Sequence, residues 1–177
     1  MRKQVFSLLV NNNAGVLSRV AGLFSRRGYS IDSITSGITV DARISPGITM
    51  DSSITRITIV TRGDEQILSQ IQKQLAKLED VIDIKVLEDG KSVCRELIMV
   101  KVKANATERA EIISVADIFR AKIVDVERDS LMLEMTGTQS KVEAFLDLLS
   151  GYQILQLART GITGLSRGSK DVMMFED

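Results

Sequence analysis

Residues 4–28, QVFSLLVNNNAGVLSRVAGLFSRRG, hold a strand, a turn and a helix in immediate succession. The run Gln4–Val10 is mostly apolar and ends at three asparagines, which predicts a buried strand that stops in a turn. Apolar residues then recur at the spacing of one helical face: Val16, Val20, Leu23 and Phe24. Gly28 ends the predicted helix, because glycine readily takes the left-handed conformation that closes a helix. The chain therefore opens with a βα unit.

The remainder of the first half completes a βαββαβ pattern. Ile31–Ile34 and Ile54–Thr61 are rich in β-branched residues, and the second run alternates with the period of two expected for a strand. Gly63 and Asp64 interrupt that strand. A second helix is predicted from one apolar stripe, formed by Ile67, Ile71, Leu75 and Leu78. Val81–Leu87 supplies the fourth strand.

The second half repeats the same order of elements. Strands are predicted at Leu97–Val102, Ile123–Val126, Leu131–Met135 and Ile154–Ala158, and helices at Glu108–Phe119 and along Val142, Phe145, Leu146 and Leu149. Gly137 ends the third strand of this half as Gly63 does in the first. The pattern predicts an α+β protein of two ferredoxin-like domains, residues 1–88 and 89–177. Each would be a four-stranded antiparallel sheet with two helices on one face.

The composition excludes several classes of function. The chain has no histidine among its 177 residues and a single cysteine, Cys94. Histidine-dependent nucleophilic catalysis is therefore excluded, and no set of ligands remains for zinc, copper or nickel. Basic and acidic residues balance at 23 each and only 4% of residues are aromatic, so we expect no nucleic-acid partner.

The sequence carries no sign of export or of membrane insertion. The apolar run Val5–Val10 is shorter than the core of a signal peptide, and no segment reaches the roughly 20 apolar residues of a membrane span. We therefore expect a cytoplasmic protein, a compartment in which an unpaired cysteine is ordinary.

The segment Asn11–Gly15 is the candidate binding site. It lies between a strand and a helix, where the first backbone N–H groups and the helix dipole attract an anion such as a carboxylate. Gly15 would let a ligand approach the backbone closely. The same residues also suit an asparagine helix cap and a turn glycine without any ligand, and the spacing alone leaves both interpretations open.

The tail Gly161–Lys170 is rich in glycine and also allows two interpretations, a loose terminus or a contact with a partner. Its segment Ser166–Lys170 contains residue types that bind phosphate. It lacks the spacing of a phosphate-binding loop, so this signal is weak.

Motifs in both halves resemble those of acetohydroxyacid synthase small subunits, also called acetolactate synthase small subunits. In the first half the resemblance rests on residues 12–20, NNAGVLSRV, on 22–29, GLFSRRGY, and on 55–59, TRITI. In the second half it rests on 118–120, IFR, on 123–126, IVDV, on 141–145, KVEAF, and on 158–161, ARTG. The resemblance therefore covers nearly the whole chain.

The resemblance implies a small-molecule-binding ACT domain followed by a second ferredoxin-like domain. Members of the family are regulatory subunits without an active site. They partner a large catalytic subunit that condenses pyruvate with pyruvate or 2-oxobutyrate in branched-chain amino-acid synthesis. Thiamine diphosphate, magnesium and FAD belong to that subunit, so no cofactor is expected on this chain. The small subunit raises catalytic activity and confers feedback inhibition, usually by valine.

The resemblance also carries over ligand positions. They are Asn12 and Gly15 with the neighbouring Val10 and Val16 in one subunit, and positions matching Ser30 and Ile31 in a second subunit. Backbone N–H groups around Gly15 and Val16 would receive the ligand's carboxylate, and Asn12 with strand-end carbonyls would receive its ammonium group. The shared pocket implies a homodimer through the first domain. Asparagine is usual at Ser30, which leaves the choice among valine, leucine and isoleucine open.

A second departure from the family is the connection between Thr35 and Arg56, which is about ten residues longer than expected. Ile38–Asp41 and Ile48–Ser52 would lengthen two strands around a turn at Pro46 and Gly47, or the segment would be a disordered insertion. The sequence does not distinguish the two.

Two other functions stay possible at this stage. The chain could be a free-standing ACT protein that senses a different amino acid for another enzyme. An enzyme is the weakest alternative, because no pair of carboxylates stands on an apolar background that would favour acid catalysis.

Overall fold

A computed structural model describes residues 1–41 and 51–169, with the backbone alone at 51 and 52. The chain forms one compact unit from Met1–Cys94 together with the tail from Thr163, and a second from Arg95–Ile162. The sequence places the boundary after Glu88 instead. The two divisions differ because the tail packs within the first unit, where the backbone N–H of Arg167 donates to the carbonyl oxygen of Lys91 at 2.8 Å.

The first unit has the predicted βαββαβ order. Its elements are β1 (Arg2–Asn11), α1 (Val16–Arg26), β2 (Ser33–Thr39), β3 (Asp51–Gly63), α2 (Glu65–Leu75) and β4 (Val81–Val86). The sheet order is β2-β3-β1-β4 and the pairings are antiparallel, which is the ferredoxin-like arrangement. Both helices lie where the apolar stripes of the sequence predict them. Leu78, the last residue of the second stripe, lies beyond the end of α2.

Strands β2 and β3 are longer than the sequence predicts. Their pairing continues to Thr39, which lies opposite Asp51. This agrees with the prediction that the connection between Thr35 and Arg56 lengthens the two strands. The predicted turn at Pro46 and Gly47 lies outside the described residues.

The core of the first unit lies between the sheet and the two helices. Its fully buried members include Phe6 and Leu8 of β1, Phe24 of α1 and Ile71 of α2. Burial of each such side chain stabilises the fold by about 1.5–3 kcal/mol. Helix α1 ends as predicted at Gly28, which has a φ of +68°. The backbone N–H of Tyr29 then returns to the carbonyl oxygen of Phe24 at 3.0 Å, which closes the helix.

The second set of elements repeats the plan. It comprises β5 (Ser92–Lys103), α3 (Ala106–Phe119), β6 (Lys122–Val126), β7 (Ser130–Gly137), α4 (Gln139–Leu149), β8 (Ile154–Arg159) and β9 (Thr163–Ser166). The sheet order β6-β7-β5-β8 matches that of the first sheet, and β9 pairs with β5 outside this path. Fully buried residues of the second core include Ile98, Val100, Leu133 and Phe145. The prediction of two ferredoxin-like domains is confirmed.

Strand β9 was not expected, since the glycine-rich tail suggested either a loose end or a contact with a partner. Gly164 lies so close to its neighbours that a Cβ atom there would stand 2.7 Å from Cys94 Sγ and 2.8 Å from the carbonyl oxygen of Val93. The glycine therefore allows close packing of the tail. In the described part of the chain, no helix is both long enough and apolar enough to cross a membrane.

Candidate ligand-binding site

The predicted site is the turn between β1 and α1. Strand β1 ends at Asn11, and Gly15 occupies the N-cap position of α1 with φ +82° and ψ 2°. This left-handed conformation costs little for glycine and about 1–2 kcal/mol for most other residues. No side chain caps the helix. The interpretation of the asparagines as ordinary helix caps is therefore wrong.

The open start of α1 contrasts with the starts of the three other described helices. Asp64, Asn105 and Thr138 each accept a hydrogen bond from a backbone N–H in the first turn of α2, α3 and α4. Helix α1 has no acidic residue in its first turn. Among residues 1–41 and 51–169, none accepts a hydrogen bond from the backbone N–H of Leu17 or Ser18. This turn therefore presents unsatisfied donors and a positive helix dipole, which together suit an anion.

Neighbouring strands hold the turn in place. The backbone N–H of Asn12 donates to the carbonyl oxygen of Ser53 at 2.7 Å, next to β1 on its β3 side. On the β4 side, the backbone N–H of Asn11 donates to the carbonyl oxygen of Asp80 at 2.8 Å. The side-chain amide of Asn13 donates to Asp80 Oδ1 at 2.9 Å. These bonds give the turn one defined shape before any ligand arrives.

Asp80 also binds Arg19, a residue of the second turn of α1. Arg19 Nε donates to Asp80 Oδ2 at 2.7 Å, and Arg19 Nη1 donates to the carbonyl oxygen of Ala14 at 3.3 Å. The hydrogen bond from Asn13, followed by the one from Arg19, holds the pKa of the Asp80 carboxyl below its usual range. The carboxylate is consequently ionised at neutral pH.

Sequence reasoning missed this group. It singled out neither Arg19 nor Asp80 as part of the site. The two residues stand 61 positions apart, so no local pattern links them. The asparagine run did indicate the position of the turn. Its third member, Asn13, binds the side chain of Asp80.

The predicted ligand residues fall into two groups. Val10, Asn12, Gly15 and Val16 lie together at the turn, where Asn12 and Gly15 are exposed while Val10 and Val16 belong to the buried core. Ser30 and Ile31 follow the opposite end of α1, whose eleven residues span about 16 Å. There the carbonyl oxygen of Ser30 accepts a hydrogen bond from Thr61 Oγ1 at 2.6 Å, and Ile31 packs on the core. One chain therefore does not bring all six residues into one pocket.

Comparison with known proteins matches both units of the chain to described families. Residues 6–83 match the AHAS small subunit-like ACT domain, and residues 95–168 match the small subunit of acetolactate synthase. Together these matches include the candidate turn, both cores and the whole tail strand β9.

Individual relatives agree over almost the full length. The acetolactate synthase small subunit of Mycolicibacterium smegmatis is 44% identical over 94% of this chain and 92% of its own. The isozyme 3 small subunit of Escherichia coli is 41% identical over 95% of this chain and 98% of its own. The crystal structure of the small subunit from Thermotoga maritima superposes with a TM-score of 0.83 at 37% identity, covering 95% of this chain and 99% of that one.

The two ferredoxin-like domains and the open βα turn of the first define the class, a tandem α+β protein with an ACT regulatory domain. Within that class, the chain belongs to the acetolactate synthase small-subunit family.

Proposed function

We propose that this chain is the regulatory subunit of an acetohydroxyacid synthase. It has no active site of its own, raises the activity of a large catalytic subunit and confers feedback inhibition by valine. Thiamine diphosphate, magnesium and FAD belong to the catalytic subunit in this proposal. Family membership across both domains supports the partnership, and the absence of histidine from the sequence argues against several catalytic mechanisms.

One observation carries the effector part of the proposal: α1 begins without a side-chain cap or an acidic residue, next to an exposed Gly15. An amino-acid carboxylate would supply the missing acceptor for the N–H groups of Leu17 and Ser18, whereas the N–H of Val16 donates to the carbonyl oxygen of Asn13 at 3.2 Å. Asn12 and carbonyl groups at the end of β1 would receive the ammonium group. The valine would thus be bound by its charged ends at the turn.

The same geometry supports a homodimer. Ser30 and Ile31 lie about one helix length from Gly15 within a chain, so they would reach the ligand only from a second copy. A two-fold axis would bring the far end of one α1 region against the turn of the other and form two equivalent pockets. Each ligand would then have its polar groups satisfied and its apolar side chain removed from water.

The test is a titration of this chain into the matching large subunit, with and without valine. Activity should rise to a plateau as the chain is added and should fall again when valine is present. The chain by itself should form no acetolactate.

Two outcomes would contradict the proposal. An unchanged rate at saturating chain would exclude an activating role. Valine binding without capture of the catalytic subunit in a pull-down would instead indicate a free-standing sensor for another enzyme.

A further inference from the structure

Arg19 lies beside the candidate turn and is not one of the six predicted ligand residues. A Cβ atom built on Gly15 would stand 3.3 Å from Arg19 Nη1, so the guanidinium group and the exposed face of Gly15 are in contact range. The turn therefore combines a cationic side chain with the unsatisfied N–H groups at the start of α1.

The hydrogen bonds of Arg19 leave part of its guanidinium group available. Arginine carries five N–H donors in a planar fork. Nε and Nη2 are engaged by Asp80 Oδ2, and one N–H of Nη1 reaches the carbonyl oxygen of Ala14. One N–H therefore remains on each terminal nitrogen, and the side chain is 46% exposed. This end of the fork matches the two oxygens of a carboxylate.

Asp80 is the group that holds Arg19 in this position. The residue is 7% exposed, and its two carboxylate oxygens are divided between Asn13 and Arg19. Its own carbonyl oxygen is tied to the backbone of Asn11. A free arginine would lose rotamer entropy on fixing its side chain, and the hydrogen bonds to Asp80 remove much of that cost before the ligand binds.

We propose that Arg19 recognises the carboxylate of the effector amino acid and that Asp80 is the residue that positions Arg19 for this contact. The inference rests on the proposed function, because it concerns the same amino-acid site. It adds a specificity-determining side chain to a turn that otherwise receives the carboxylate through backbone N–H groups.

The test compares two ligands by calorimetry on the full chain. Valinamide keeps the ammonium group and side chain of valine but replaces the carboxylate with a neutral amide. We expect Arg19→Gln to weaken valine binding roughly tenfold to a hundredfold, the range of a hydrogen bond to a charged group. Valinamide binding should change by less than about threefold, since it lacks the charge that Arg19 would contact.

Arg128→Gln is the matched control, because Arg128 is an exposed arginine of the second unit, outside the residues assigned to the ligand site, and the change in charge is identical. It should leave the preference for valine over valinamide unaltered. Arg19→Lys provides a second variant in case Arg19→Gln lowers the melting temperature. Lysine keeps the positive charge but lacks the planar pair of N–H donors of arginine. The valine affinity of this variant should therefore be intermediate between those of wild type and Arg19→Gln.

The positioning role is tested with Asp80→Asn in two backgrounds. If Asp80 acts through Arg19, Asp80→Asn should weaken valine binding severalfold in the wild-type chain and have no further effect in the Arg19→Gln chain. An equal loss in both backgrounds, or a gain in valine affinity, would overturn this role.

Different results would refute the inference and the proposed function. A wild-type chain that binds neither valine, leucine nor isoleucine would refute the proposed function. If the wild-type chain binds valine and Arg19→Gln keeps the wild-type preference for valine over valinamide, only the role of Arg19 is refuted.

Discussion

At the residue scale, the proposed ligand site can be tested at Gly15. We expect Gly15→Asp to abolish valine inhibition while activation of the catalytic subunit is largely retained. The new carboxylate would occupy the start of α1 and repel the carboxylate of valine. With φ at +82°, the substitution also costs about 1 kcal/mol of stability. Inhibition curves and a melting curve on the same preparation would measure both effects.

Gly15→Ala is the control for the backbone strain. It shares the unfavourable φ and also places a Cβ 3.3 Å from Arg19 Nη1, but it adds no charge. Valine inhibition should persist in this variant, with an affinity between those of wild type and Gly15→Asp. A folded Gly15→Asp variant inhibited at the wild-type valine concentration would show that the ligand binds elsewhere.

At the element scale, β9 depends on the absence of a side chain at Gly164. We expect Gly164→Ala to destabilise the protein by roughly 1–3 kcal/mol, because the methyl group would overlap Cys94 Sγ and the carbonyl oxygen of Val93. Each kcal/mol corresponds to a fall of about 2–4 °C in melting temperature for a chain of this size. Thermal unfolding of the full chain would measure the loss.

Gly37→Ala in β2 is the matched control, since a Cβ at Gly37 meets no atom within 4 Å. This variant should remain within about 0.5 kcal/mol of wild type. Equal melting temperatures for Gly164→Ala and the wild-type chain would contradict the close packing of β9.

The edge strand β8 is joined to β5 by an ion pair between Arg159, which belongs to the ARTG motif, and Glu96 of β5. Arg159 Nε donates to Glu96 Oε1 at 2.7 Å, and Arg159 Nη2 donates to Glu96 Oε2 at 2.8 Å. Glu96 is only 3% exposed through its side chain, so its carboxylate requires this partner. The pairing gives a structural reason for the presence of Arg159 in the ARTG motif.

At the scale of the whole molecule, we expect a homodimer at micromolar concentration that valine tightens. A ligand shared between two copies binds only the dimer, so it shifts the equilibrium by mass action. Sedimentation velocity over a dilution series, with and without valine, would measure this shift. Gly15→Asp should dimerise without responding to valine, and a wild-type monomer under both conditions would contradict the shared pocket.

The sequence by itself determined the order of strands and helices from β1 to β8, the plan of two ferredoxin-like domains and the position of the candidate turn. These features follow from local signals that can be recognised without knowledge of the fold. The signals are the periodicities of two and of 3.6 residues and the glycines at positions 15, 28 and 63. The family motifs extended this to a chemical expectation for Asn12 and Gly15.

Only the tertiary structure decided which distant groups meet at the turn and how the tail packs. Asp80 comes from the connection before β4, yet the pairing of β4 with β1 places it against Asn13 and Arg19. Gly164 likewise meets Val93 and Cys94 after a separation of about 70 residues in the chain. Such contacts depend on strand pairing across the sheet, which no short segment of sequence encodes.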